Sequence, residues 1–296
     1  MINKSRFIAI VAVLLLFSCN KKEIFSPNKY IVSESLQSGS NLEVIKRFTY
    51  SEDNQLVSLW LKENNTTLTV EHNKDKTIQK ITEDNGTNYA VLSYSDKLIT
   101  QIQYYENNRL AIERIFSRKE KKNTINKIET YVYDGFLAEK KNVLAELLFS
   151  ELKTMPEPFR KNHKSGGKLL YSVQDVTYEG DNIFRVRLSY IENDVPLLHS
   201  ITTYDYDDKK NPYYGLPYFL VGLTGYSENN VKFVRTTLEN DPDNTMITIE
   251  NDYSYEKKYP VYNSVVETKS YVYYDNEKKP IWATELRYRS YEYAYK

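Results

Sequence analysis

An all-β fold is what this sequence predicts: an antiparallel meander of consecutive hairpins forming a large curved or twisted sheet, in one piece or in two halves. Three observations predict it. Tyr is abundant, at 28 residues against 9 Gly and 9 Pro, and tyrosine suits a half-buried pleated surface on which the ring keeps one wet end. Segments with period-two alternation recur along the chain. The polar links between them are built from Asn, Asp, Lys and Gly, the residues that tolerate tight hairpin turns.

The elements follow in order. Lys4 and Arg6 precede an unbroken apolar run of 11 residues, Phe7 to Phe17. That is too short to span a bilayer as a helix, which takes roughly 20 residues, and it fits the hydrophobic region of a secretory signal. Leu16-Phe17-Ser18-Cys19 follows and resembles the lipobox read by the lipoprotein signal peptidase, with Leu16, Ser18 and Cys19 at the matching positions. The resemblance implies a signal peptide over residues 1–18 and a lipidated Cys19. Cys19 is the single cysteine of the chain, so an exported protein cannot use it for an internal disulfide, and thioether acylation would consume the thiol. Residues 19–40 are expected to be the lipidated cysteine and a tether that passes into the first strand.

The hairpin repeat is expected over 41–296. Phe48 to Leu59, Val91 to Ile102 and Tyr104 to Ile112 each read as strand, polar turn and strand, as do Tyr178 to Ile183 and Tyr273 to Ile281. Several such units at close spacing argue a meander, with one buried and one wet face. Leu137 to Leu152 breaks the pattern: Leu144, Leu147, Leu148 and Leu152 stand at helical spacing, and Gly135 and Pro156 bound the segment. One amphipathic helix is predicted near 137–152, with Leu144, Leu148 and Leu152 toward the sheet. Residues 155–168 read as a polar loop and a divide between two β halves. Leu216 to Leu223 is either a short helix or a buried strand.

Tyr204-Asp205-Tyr206-Asp207-Asp208-Lys209-Lys210-Asn211-Pro212 is followed by Ser227-Glu228-Asn229-Asn230, and Tyr271-Val272-Tyr273-Tyr274-Asp275 by Lys279-Pro280. Residues 45–296 resemble outer-membrane lipoproteins of Bacteroidota that carry an uncharacterised domain of this type and, more distantly, the YD repeats of bacterial surface and toxin-encapsulating proteins. The resemblance implies an architecture and a lipid-anchored outer-membrane address, not a chemistry.

Charge excludes one partner class. Loss of Lys4 and Arg6 takes the 40 basic side chains to 38 against 40 acidic ones, which offers no basic field for nucleic acid. His72, His163 and His199 share no ligand spacing, and Gly-rich phosphate loops and GxSxG elbows are absent. No cofactor and no catalytic residue is expected. Asp205, Asp207 and Asp208, and Asp241, Asp243 and Asn244, offer oxygens of the kind calcium takes, but Asp and Asn also cap turns through their own backbone. Tyr291, Tyr293 and Tyr295 would share one face of a strand. They are the candidate ligand-binding residues for a glycan or protein surface, unless they serve cross-strand packing. The leading expectation is a non-catalytic binding or scaffolding lipoprotein of the cell envelope. The alternative is an exported glycan hydrolase, which needs two carboxylates paired across a cleft.

Overall fold

The computed structural model describes residues 29–38, 40–119, 124–133, 142–149, 151, 167–211, 213, 222–239, 245–256, 259–271 and 281–295. Sixteen strands follow one another: β1 (Lys29–Ser38), β2 (Asn41–Tyr50), β3 (Leu56–Leu61), β4 (Thr66–His72), β5 (Ile78–Glu83), β6 (Tyr89–Ser95), β7 (Leu98–Glu106) and β8 (Arg109–Arg118). The second eight are β9 (Ile125–Val132), β10 (Leu169–Glu179), β11 (Asn182–Glu192), β12 (Val195–Lys210), β13 (Asn229–Leu238), β14 (Met246–Glu256), β15 (Tyr259–Tyr271) and β16 (Ile281–Tyr295). Each pairs antiparallel with its neighbour in sequence, and β1 pairs with β16, so the curved meander closes into a barrel.

The local reasons are those visible in the sequence. Asp96 and Lys97 have φ of 49° and 65°, Asn107 and Asn108 of 50° and 61°, and Asn193 and Asp194 of 50° and 62°. Two successive left-handed residues make the two-residue turn whose twist matches a hairpin. Gly180, at φ 58°, turns β10 into β11. The segment 272–280, which carries the last expected hairpin turn, lies outside the described residues.

Alternation decides which face is inside. Leu68 and Val70 of β4, Ile78 and Ile81 of β5, Ala90 and Leu92 of β6 and Ile102 and Tyr104 of β7 are buried, as are Ile112 and Phe116 of β8 and Ile125 and Ile128 of β9. The intervening positions, such as Thr69, Glu71, Lys80, Gln101, Gln103, Lys127 and Glu129, face outward. Over β4 to β9 this is the reverse of the pattern of a membrane-spanning barrel, whose lipid-facing side is apolar. No helix among the described residues is long and apolar enough to cross a membrane.

A barrel of sixteen strands is wide enough to leave a channel unless something fills it. Among the described residues, the stretch 142–149 occupies part of that interior. Helix α1 (Val143–Leu148) starts at Asn142, whose side-chain oxygen accepts from the Ala145 amide at 3.1 Å. Leu144, Ala145, Leu148 and Phe149 are buried in the same core as the inward residues of the strands. The helix is shorter than the 137–152 expected. Asn142 begins it, because a side chain that caps the helix end sits in extended backbone. Residues 134–141, 150 and 152 lie outside the described residues, and Leu152 with them.

Two further differences concern the ends. The first strand begins at Lys29, inside the stretch read as tether, because the segment pairs on both sides, with β2 and with β16. Of Leu216 to Leu223, only Leu223 is described, as the first residue of a 3-10 turn, Leu223–Tyr226.

Candidate functional site

A cleft of about 460 Å³ opens at one mouth of the barrel, between α1 and the hairpin of β2 and β3. Val143 and Leu147, which flank the deeply buried Leu144 and Leu148 on the helix and are themselves half-buried, form one wall. Ile45 and Leu61 form the other, and apolar surface predominates. The volume lies in the range of small-molecule sites, which are mostly apolar with a few placed polar groups.

The polar groups come from β1 to β3. Lys46 lines the cleft, and its ammonium donates to Glu34 Oε2 at 2.8 Å. The Glu34 side chain is 1% exposed and that of Lys46 27%, so the carboxylate lies behind the lysine, which stays in reach of the cleft. Tyr213 donates to the same Glu34 oxygen at 2.8 Å. At the rim Lys62 pairs with Glu43, and Glu63, Asn64 and Glu146 complete the lining. Both lysines of the cleft are therefore already opposite a carboxylate.

The helix wall is positioned from inside the barrel. Glu83 of β5 accepts from the Leu144 amide at 2.7 Å and from the Asn88 side chain at 2.9 Å. Arg114 of β8, fully buried, pairs with Glu151 and donates to the Leu148 carbonyl at 2.6 Å and to Thr130 Oγ1 at 3.2 Å. Its guanidinium lies 4.7 Å from the centre of the Phe149 ring. Tyr190 donates to the Glu151 carbonyl at 2.7 Å. An unpaired cation in such a place would be costly; here its donors are met by the plug segment, which fixes where α1 can sit.

Tyr291 is buried, at 8% exposure, opposite Glu34 in the register and edge-on to Tyr213 with ring centres 6.2 Å apart. It packs on Tyr213, which in turn donates to Glu34. A ring inside the wall offers no outer stacking face. Tyr293 and Tyr295 pair through their backbones with Ile31 and Lys29, and their side chains lie outside the described residues.

On the outer wall, Tyr89, Tyr105 and Tyr131 pack against neighbouring side chains. Tyr89 and Tyr105 stack on each other at 4.8 Å across β6 and β7, with Lys80 over the first ring at 4.5 Å. Lys168 lies over Tyr131 at 4.1 Å and pairs with Glu113. Burial pushes the Glu113 carboxyl up, but Lys168 and the Gln101 and Gln103 amides outweigh it and hold it below its ordinary value. These are cross-strand contacts that stabilise a sheet.

The residues of the Asp-Lys-Lys-Asn and Asn-Asn segments come together, and what they build is a junction. Asn182 and Asn229 bond reciprocally, Asn229 reaches the Lys209 carbonyl at 3.1 Å, and Asn211 donates to the Ser227 carbonyl at 3.1 Å. Ser227 accepts from the Ile183 amide at 3.0 Å and donates to Tyr206 at 2.9 Å. Asp207 caps its own turn through the Lys209 amide at 2.8 Å and accepts from Tyr255. Among the described residues no group of three or more His, Cys, Asp or Glu is placed to hold a metal ion; Asp241, Asp243, Asn244 and His163 lie outside them. His199 packs on Tyr190 at 4.9 Å, and burial lowers the pKa of His72.

No family model and no curated sequence matches the chain. The cleft is therefore read from its own chemistry. Helical periodicity marked Leu144, Leu147 and Leu148 as one apolar stripe with Leu144 and Leu148 inward; that Leu147 and its neighbour Val143 line a cleft was not legible. Nothing local marked Glu34 and Lys46, which face each other only through the β1–β2 register.

Proposed function

We propose that this chain is a cell-envelope lipoprotein whose barrel is a non-catalytic binding module, with the mouth cleft as its ligand site. The cleft is the observation that carries the reading: it has apolar walls, few polar groups and a wall held in place by buried hydrogen bonds. A glycan or protein would be engaged through a group small enough to enter it. The anchor is a lipid on Cys19 in the outer membrane, as in the Bacteroidota lipoproteins that the sequence resembles. The polar outer face of β4 to β9 favours attachment by lipid, since two or more acyl chains suffice, each buried methylene contributing about 0.8 kcal/mol.

Two experiments test this. Cys19→Ala should lose acylation and leave the membrane fraction; a variant that stays there, with an unacylated wild type, refutes the anchor. A binding screen against glycans and envelope proteins should give hits that Leu147→Trp, which fills the cleft, removes. Hits indifferent to that substitution would place binding elsewhere.

A glycan hydrolase has one observation in its favour, the presence of Glu43, Glu63 and Glu146 around the same cleft. Reducing-end release from glycan substrates that Glu63→Gln or Glu146→Gln abolishes would establish it in place of the binding reading.

A further inference from the structure

The connectivity of the barrel fixes which of its ends carries what. The strands pair antiparallel in sequence order, so the links between them alternate from rim to rim. One rim holds residues 51–55, 73–77, 96–97 and 180–181, and there Lys29, which begins β1, pairs with Tyr295, which ends β16. The other rim holds residues 62–65, 84–88, 107–108 and 193–194, together with the end of β9 and the start of β10, between which α1 is inserted. The mouth cleft belongs to this second rim, because Glu63 and Asn64 come from the β3–β4 link and Val143 and Leu147 from α1. The N-terminal end of the barrel and the cleft are therefore on opposite rims. Of the exposed large apolar side chains among the described residues, Leu42, Leu169, Val195 and Leu197 stand in the first three residues of strands that start at the cleft rim, and only Phe184 at the other. Such side chains suit a bilayer or a water-borne partner, and the length of the tether decides between them.

From this we propose that the barrel stands on its membrane by the N-terminal rim, so that the mouth cleft faces away from the bilayer and takes a water-borne ligand, not a lipid of the anchoring leaflet. The inference rests on the anchor and the cleft of the reading above, and adds where the site faces and which ligands reach it. Nine residues, Asn20 to Asn28, separate Cys19 from Lys29. Fully extended, this tether reaches about 35 Å; a flexible chain of its length typically spans roughly 20 Å. The wall is built from strands such as the ten-residue β1. At a rise of about 3.3 Å per residue and the usual tilt of barrel strands, it is about 25 Å tall. With the N-terminal rim down, Lys29 lies beside the headgroups and the tether is free to coil. Inverted, Lys29 stands the height of the barrel above them, and the tether is drawn out over most of its length while its acyl chains stay in the leaflet. Inversion thus takes away conformational freedom that the other arrangement keeps. An acyl chain of the same leaflet, which the apolar walls of the cleft would suit, then lies a barrel's height away from Val143 and Leu147.

Cys19 is the single cysteine of the chain and acylation consumes its thiol, so an added cysteine in the full lipidated chain takes one fluorophore. Leu42→Cys and Val195→Cys place it on the cleft rim, and Glu52→Cys and Glu179→Cys on the N-terminal rim; all four positions are exposed. The labelled chains are bound to phosphatidylcholine vesicles that contain a lipid with a nitroxide quencher on its headgroup. The labels at 52 and 179 should lose most of their emission, and those at 42 and 195 should keep nearly all of theirs. Asn64→Cys, at the cleft, should react with a charged maleimide as fast on vesicles as in detergent. Circular dichroism verifies the fold of each variant, and flotation with the vesicles verifies attachment. If the cleft-rim labels are quenched as strongly as the others, if no label is quenched on floating, acylated protein, or if Asn64→Cys is shielded on vesicles, the orientation fails while the anchor stands. If the chain carries no acyl group and does not float, the anchor reading fails and the orientation with it.

Discussion

Arg114→Ala should be among the most damaging single substitutions in this protein. Arg114 is fully buried and meets Glu151, whose side chain is 3% exposed. It also meets the Leu148 carbonyl, Thr130 and the Phe149 ring. Its removal leaves Glu151 as a buried charge without its cation and the Leu148 carbonyl without its donor. Breaking a buried pair from one side costs about 3–5 kcal/mol. For a chain of this size that corresponds to a fall in Tm on the order of 10 °C. The assay is urea denaturation followed by tryptophan emission and far-ultraviolet circular dichroism, with Arg114→Ala, Glu151→Ala and the double variant forming a cycle. The two single variants should each lose most of that energy, and the double variant should lose much less than their sum, because neither charge is then stranded. Arg235→Ala, on the exposed face of β13 and 5.7 Å from the Phe233 ring, should cost less than about 1 kcal/mol. Additive losses at Arg114 and Glu151, or a loss at Arg114 no larger than at Arg235, would refute the view that this pair docks the plug segment.

Other consequences can be measured independently. Lys97 holds φ at 65°, where a side chain is strained, so Lys97→Gly should raise stability by up to about 1 kcal/mol; a loss on denaturant titration would contradict the turn. Burial pushes the phenols of Tyr104, Tyr206 and Tyr255 well above their ordinary value. Their stabilising contribution is full below the unfolded pKa and is lost as pH rises, because only the unfolded chain ionises them readily. Phe substitutions at these positions should leave the tyrosinate absorbance of the native protein unchanged up to alkaline unfolding; a loss of native tyrosinate signal in any of them would contradict the burial. Glu113 is held below its ordinary pKa, chiefly by Lys168 acting against burial, and Lys168 is raised by its bond to Glu113. The carboxylate's contribution is present above its unfolded pKa and lost as pH falls through the folded one. The lysine's is present below its unfolded pKa and lost as pH rises through the folded one. Glu113→Gln should therefore flatten the acid limb of the stability–pH curve, with a modest effect because Lys168 is 40% exposed.

The hairpins were legible because their causes are local. Asp96-Lys97 and Asn107-Asn108 select the turn by backbone chemistry, and alternation such as Leu68-Thr69-Val70-Glu71 selects the buried face, all within one stretch of chain. The helix was legible as a stripe, since Leu144 and Leu148 recur at its period. Its start at Asn142 depends on a cap, and its place inside the barrel on Glu83 and Arg114, which lie far back in sequence. Closure was not legible. β1 carries Ser33, Glu34 and Ser35, all buried, and reads as a polar tether until β16 arrives from the other end of the chain to pair with it. Arg114 stands at even spacing between the inward Ile112 and Phe116, so alternation puts it inside; what could not be read is that Glu151 and the Leu148 carbonyl arrive to meet its charge. The cleft joins β2, β3 and α1, and its charge balance depends on Glu34 standing behind Lys46. Alternation and turn chemistry act between neighbours in sequence and can be read from it. The closing register, the plug and the cleft arise from contacts between segments far apart in the chain, and only the tertiary structure decides which of them meet.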